Sequence, residues 1–144
     1  MAHRVLIFGL PGAGKTWLAT RLSQIMPCDW FNADDIRKQF DDWDFSDAGR
    51  LRQAERMRKM ADDSTQPFAI ADFVCPTQEL RQVFEAHTSI WLNTIKEGRF
   101  EDTNKLFERP DHATLVIEKF YNEDNVQEAA KWLQERAQKE ATDV

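Results

Sequence analysis

Gly9-Leu10-Pro11-Gly12-Ala13-Gly14-Lys15-Thr16 is the stretch that decides how this chain folds. Two glycines separated by four residues, then Lys-Thr, fit the phosphate-binding (Walker A) pattern without a mismatch. Each residue type in it has a chemical reason. Glycine lets the backbone turn tightly, so that successive N–H groups face one anion. A helix starting at the end of the loop adds the positive end of its dipole. The ammonium of Lys15 suits the β- and γ-phosphates of a nucleoside triphosphate, and the hydroxyl of Thr16 suits Mg²⁺. Gly9, Pro11, Gly12, Ala13, Gly14, Lys15 and Thr16 are therefore the expected ATP-binding residues, with ATP and Mg²⁺ as cofactors. The flanks support this reading. Arg4-Val5-Leu6-Ile7-Phe8 is an apolar strand, and Leu18, Leu22 and Ile25 recur at helical spacing. That predicts a helix over Lys15 to Met26, ended before Pro27. A chance glycine-rich turn has no reason to sit between such neighbours.

Working outward, short apolar runs alternate with amphipathic stretches, the pattern of a parallel α/β sheet. Further strands are expected over Asp29–Asn32, Phe68–Ala71 ending at Asp72, Ser89–Leu92 and Thr114–Ile117. Helices are expected over Asp34–Phe40, after an N-cap at Ser46, over Thr77–Glu85, and through Val126, Ala130, Leu133 and Ala137. The segment Lys96 to Pro110 is charged and without periodicity, so it reads as a functional loop or lid. The expected fold is a three-layer α/β P-loop NTPase fold, with a mostly parallel five-stranded sheet flanked by helices. No linker or repeat divides it, so residues 1–144 are expected to form one domain.

Composition limits the partners. The 144 residues include 42% hydrophobic and 11% aromatic side chains, enough for a packed core. A net charge of -6 argues against a broad nucleic-acid or membrane surface, so an anionic ligand needs a local basic pocket. The expected partner is a small-molecule nucleotide. Cys28 and Cys75 make no disulfide framework, and no Cys/His spacing suggests zinc. The apolar run Val5–Phe8 is too short for a signal peptide, and no run reaches membrane-spanning length, so a cytoplasmic location is expected. His3, His87 and His112 share no spacing with carboxylates and are expected at surface or loop positions. Trp17, Trp30, Trp91 and Trp132 are expected in the core or beside helices, and Trp43 is a possible pocket wall. The tail from Lys139 is expected to fray.

Two further acids fall at strand ends. Asp72 closes the Phe68–Ala71 run and is the expected holder of a Mg²⁺-bound water, with a turn cap as the plainer alternative. Asp34 and Asp35 follow the second strand, at the sheet edge that faces the ligand crevice of an open α/β fold.

Several segments beyond the cradle resemble the adenylylsulfate (APS) kinase family. The cradle is similar to that family's G-L-S-G-A-G-K-S. Phe31-Asn32-Ala33-Asp34-Asp35-Ile36-Arg37 resembles L-D-G-D-N-V-R. Asp42-Trp43-Asp44-Phe45-Ser46 resembles D-L-G-F-S, with Arg50 and Gln53 where the family has Arg and Asn. Phe73-Val74-Cys75-Pro76 resembles the start of F-I-S-P-Y-R, and Arg99-Phe100 through Phe107-Glu108-Arg109-Pro110 tracks N-F-T-G-I-D-x-P-Y-E-x-P. The resemblance runs in order from residue 4 to about 117.

The resemblance implies transfer of the γ-phosphoryl of ATP to the 3′-hydroxyl of adenylylsulfate. In that reading Lys15 and Asp34 are catalytic, Asp34 accepting a hydrogen bond from the hydroxyl. Phe45 and Phe100 sandwich the adenine, Arg37 and Arg50 hold the phosphosulfate, and Gln53 and Phe73 complete the substrate pocket. Thr16, and Asp72 through water, hold the metal. Plainer roles also fit: Phe45 and Phe100 as anchoring aromatics, Arg37 paired with Asp41, and the arginines near Glu55 as a solvated helix face. The departures are Asn32, Asp35 and Cys75, and above all the absent R-D-P-K-G-L-Y lid segment. Only Ile95-Lys96-Glu97-Gly98-Arg99 stands in its place, with Lys96 and Arg99 as candidate substitutes for its charge. The alternatives are a kinase for another hydroxyl acceptor (a polynucleotide 5′ end or a small metabolite) and a nucleotide-binding module without turnover.

Overall fold

A computed structural model describes residues 1–113, 115–119 and 122–142. Its strands are β1 (His3–Phe8), β2 (Cys28–Asn32), β3 (Phe68–Asp72), β4 (Thr88–Leu92) and β5 (Leu115–Ile117). Its helices are α1 (Lys15–Ile25), α2 (Ala33–Phe40), α3 (Asp47–Asp62), α4 (Gln78–Phe84), α5 (Glu101–Leu106) and α6 (Glu123–Thr142). The five strands form one sheet in the order β2-β3-β1-β4-β5, and every pairing in it is parallel. The expected P-loop NTPase architecture is present, with a wholly rather than mostly parallel sheet.

Strand β1 is buried along its whole length and shows why both faces need cover. Successive side chains point to opposite faces. Val5 and Ile7 join Leu18, Leu22, Val126 and Leu133, from α1 and α6. Leu6 and Phe8 join Ala54, Met57 and Phe84, from α3 and α4. Each fully buried Leu or Phe contributes about 1.5–3 kcal/mol, so helices on both faces hold the sheet. Because β1 is the middle strand, the loop after it emerges at the centre of the sheet's carboxyl edge, where ligands of open α/β sheets bind. The register sets Asn32 and Ile7 on either side of Asp72 at that edge.

Side-chain caps begin the helices of the β3 side. Asn32 accepts from Asp35 N–H, Ser46 from Gly49 N–H and Thr77 from Leu80 N–H. Three expectations are corrected. The 96–110 segment contains α5, a single short helix that carries too few turns to show periodicity. The chain stays helical from Lys139 through Thr142. His3 is 7% exposed, its ring stacked 5.1 Å from that of His87, and its Nε2 lies 2.8 Å from the Thr88 hydroxyl. Packing across the sheet's amino end places it there, which no spacing along the chain could signal. Thr114, the expected start of β5, lies outside the described residues. Among the described residues, no helix is long and apolar enough to cross a membrane.

Candidate functional site

The cradle is built by left-handed backbone. Gly9, Gly12 and Gly14 have φ of 153°, 90° and 103°, and Gly14 is the N-cap of α1. A Cβ on Gly9 would stand 2.7 Å from the Leu92 carbonyl oxygen, so β4 closes on the loop only because no side chain is there. Lys15 is buried and its ammonium donates to the Leu10 carbonyl at 3.0 Å. Burial lowers its pKa to about 8. The carboxylates of Asp72 and Asp34 pull the other way, and Arg99 adds to the fall. A buried ammonium above a ring of amide N–H groups is a strong anion trap.

Asp72 is 2% exposed and accepts hydrogen bonds from the Thr16 hydroxyl at 3.1 Å and the Asn32 amide at 3.0 Å. The Asn32 amide also lies 3.3 Å from the Thr16 hydroxyl. Burial raises the Asp72 pKa, against the opposing pull of Asn32, Lys15 and Thr16. A carboxylate kept dry and hydrogen-bonded to a neighbouring hydroxyl suits a hard cation. Mg²⁺ takes few protein oxygens and keeps waters and phosphate oxygens for the rest of its octahedron. Thr16 and Asp72 fit that requirement. Among the described residues, no group of three or more His, Cys, Asp or Glu side chains could hold a metal by itself.

Next to the cradle lies a cleft of about 70 Å³ lined by Asp34, Arg37, Phe45, Arg50, Gln53 and Phe73, among others. Six of the seven expected substrate residues, all but Phe100, therefore meet in one place. The 4% exposed Arg37 donates to the carbonyls of Asp42 and Asp44 at 3.0 and 3.1 Å, not to Asp41. Its guanidinium lies 4.2 Å from the centre of the Phe45 ring. Arg50 donates to the Phe45 carbonyl at 2.9 Å and its guanidinium lies 5.4 Å from the same ring. Two arginines thus hold one aromatic ring, which stays 51% exposed and available for stacking. Burial lowers the pKa of both arginines. The amide of Gln53 is committed, donating to the Ala33 carbonyl at 3.1 Å and accepting from Arg56.

The remaining α3 arginines do not pair with Glu55. Arg52 and Arg56 bind Asp42, and Arg52 also binds Asp44, bracing the loop that carries Phe45. Arg58 pairs with Asp62 and Glu85. Phe100 is 53% exposed and stands outside the cleft, capped by Arg99 at 5.2 Å. Trp43, 51% exposed, is also not among the cleft residues.

Reading residue by residue along the chain misses three groups. Asn32, met only as a departure from D-G-D-N, both caps α2 and bridges Thr16 to Asp72. Arg81 is buried against the rings of Phe8 and Phe107 and donates to the carbonyls of Cys75, Pro76 and Glu108. It ties the cleft wall to the end of the lid segment. Asn104 binds both the N–H and the carbonyl of Gly98. The N-cap position of Asn32 was a usable signal; the other two depend on distant partners.

The first 37 residues match the family described as magnesium chelatase, subunit ChlI, over residues 1–37, a span that covers β1, the cradle, α1 and the start of α2. No protein of curated function matches the sequence. The fold is similar to that of the Mycobacterium tuberculosis APS kinase, with 16% identity, 92% of this chain and 98% of that chain covered, and a TM-score of 0.74. A gluconokinase from Sinorhizobium meliloti gives 12% identity, 99% of each chain and a TM-score of 0.69. The Acinetobacter baumannii shikimate kinase gives 15% identity, 94% of each chain and a TM-score of 0.64. The chain has the α/β fold shared by these P-loop kinases.

Proposed function

We propose that this chain is an ATP-dependent phosphotransferase and that its acceptor is the 3′-hydroxyl of an adenylylsulfate-like nucleotide. One observation carries the reading: the cradle with Lys15, Thr16 and Asp72 opens beside a cleft where Asp34, two arginines and a half-exposed Phe45 meet. Residues 1–144 would serve as one such domain, acting in the cytoplasm on small molecules.

The roles follow from charge and position. The cradle amides and Lys15 hold the triphosphate. Mg²⁺, when bound through Thr16 and the water on Asp72, would neutralise charge on the β- and γ-phosphates. Asp34, in the first turn of α2, orients the acceptor hydroxyl and takes its proton. The hydroxyl oxygen then bonds to the γ-phosphorus while the bridge to the β-phosphate breaks, leaving ADP. Because the transition state is loose, positioning does most of the work. Phe45 offers a face for a base, a contact of about 1–3 kcal/mol. Arg37 and Arg50 offer guanidinium N–H groups to the anionic end.

A kinase for another hydroxyl acceptor is the second reading. It is favoured by the position of Phe100, outside the cleft, which leaves Phe45 without an opposing ring. The test is to incubate the protein and its Lys15→Ala variant with ATP·Mg²⁺ and APS, a 5′-hydroxyl oligonucleotide or a panel of sugars and shikimate. Lys15-dependent conversion of APS alone is the expected result. Conversion of another acceptor in its place moves the assignment to that acceptor, and ATP binding without turnover leaves a nucleotide-binding module.

A further inference from the structure

Beyond β4 the chain does not leave the cradle. The Thr94 hydroxyl donates to the Ala13 carbonyl at 2.7 Å. The Ile95 Cδ1 lies 3.8 Å from where a Cβ on Gly12 would stand. A Cβ on Gly98 would stand 3.0 Å from the Pro11 carbonyl oxygen and 3.3 Å from its Cδ. Residues 94, 95 and 98 thus meet cradle residues 13, 12 and 11 in turn. The short segment lies along the cradle and is held there at its far end by one side chain. The Asn104 oxygen accepts from Gly98 N–H at 2.7 Å, and its amide donates to the Gly98 carbonyl at 3.0 Å.

Asparagine is suited to this. An ionised aspartate keeps the acceptor and loses the donor, and alanine loses both. The six residues of α5 could not hold such a clasp alone, since so short a helix is marginal in water. Its middle and its C-terminal end are fixed to the core: Thr103 is buried, and Phe107 stacks on Trp91 and lies beneath Arg81. The residue next to the clasp is Arg99, one position beyond the Gly98 that lies against Pro11; it has no ion pair among the described residues, and its guanidinium lies 5.2 Å from the Phe100 ring.

We propose that Asn104 is a positioning residue: by clasping Gly98 it keeps residues 94–99 docked on the cradle and Arg99 at the cradle rim, as a cation additional to Lys15 for the terminal phosphate of a nucleoside triphosphate. This rests on the phosphotransferase reading above. The segment is then a fixed cap that senses the third phosphate.

The test is calorimetric titration of the whole chain with Mg²⁺·ADP and with Mg²⁺ and a non-hydrolysable ATP analogue. Wild type, Arg99→Ala, Asn104→Ala, Asn104→Asp and the Arg99→Ala/Asn104→Ala double variant are compared. Wild type should prefer the triphosphate. That preference should fall about tenfold in both alanine variants, the scale of one charge-assisted hydrogen bond, with ADP affinity changed less than about twofold. Asn104→Asp should fall between, and the double variant should be no worse than either single, because both act through one guanidinium. Should Asn104→Ala prove unstable, Asn104→Asp still carries the comparison. An unchanged preference, equal weakening of both nucleotides, or additive losses in the double variant would overturn the proposal alone. A wild type that binds neither nucleotide would overturn it together with the phosphotransferase reading.

Discussion

Replacing Lys15 by methionine should make the unliganded protein more stable while removing its hold on a triphosphate. The ammonium is buried, and the fall of its pKa from 10.5 to about 8 already includes the attraction of Asp72 and Asp34. At 1.36 kcal/mol per pH unit that fall is worth about 3 kcal/mol against the charged folded state. Methionine fills a similar volume but loses the hydrogen bond to Leu10, about 1 kcal/mol. The net gain is about 2 kcal/mol, or roughly 4–8 °C in melting temperature for a domain of this size. The sign with pH follows from linkage. The folded pKa lies below the unfolded one, so the penalty is complete below about 8 and is shed as pH rises toward 10.5. Wild type should therefore catch up with the variant between pH 8 and 10. The assay is urea or thermal unfolding of both proteins at pH 7, 8, 9 and 10, with and without ATP·Mg²⁺. A variant less stable than wild type at pH 7 without nucleotide would refute the argument, as would a gap that does not narrow with pH.

Other positions give sharper contrasts. Asp72→Asn should also stabilise the unliganded protein at neutral pH, because the raised Asp72 pKa marks a carboxylate whose charged form the fold disfavours; the difference should vanish as pH falls below the carboxylate range. The same change should weaken Mg²⁺-dependent nucleotide binding about 10–100-fold, as loss of an outer-shell metal partner does. Gly49→Ala drives a Cβ into the Asp44 carbonyl, so it should cost about 1–3 kcal/mol in urea unfolding and raise the acceptor KM by shifting the loop that carries Phe45. Arg81→Met leaves the carbonyls of Cys75, Pro76 and Glu108 without their donor; a loss of about 3 kcal/mol or more is expected in denaturation.

Much of this site is local chemistry and therefore legible along the chain. Gly9 to Thr16 is a contiguous motif, and the apolar run before it and the helical spacing after it give its setting. Asp34 and Asp72 could be picked out because strand ends in a parallel sheet face the ligand. The α2–α3 arginines were legible as charges but not by role. Arg37 reaches backbone carbonyls that its helical spacing to Asp41 did not suggest, and Arg52 and Arg56 close on Asp42 across a loop. Helix α5 escaped notice because one and a half turns carry no measurable period.

By itself the sequence determined the glycine-rich loop from Gly9 to Thr16, the parallel α/β sheet around it and the acids at its edge. Each of these is encoded in residues adjacent in the chain or repeated at a fixed period. Only the tertiary structure decided that Asn32 joins Thr16 to Asp72, that Phe45 lines the cleft while Phe100 does not, and that Asn104 clasps Gly98 over Pro11. Those facts depend on which side chains meet after the strands are laid in the order β2-β3-β1-β4-β5. Burial then raises the proton affinity of Asp72 and lowers that of Lys15, and neither effect has a local signature.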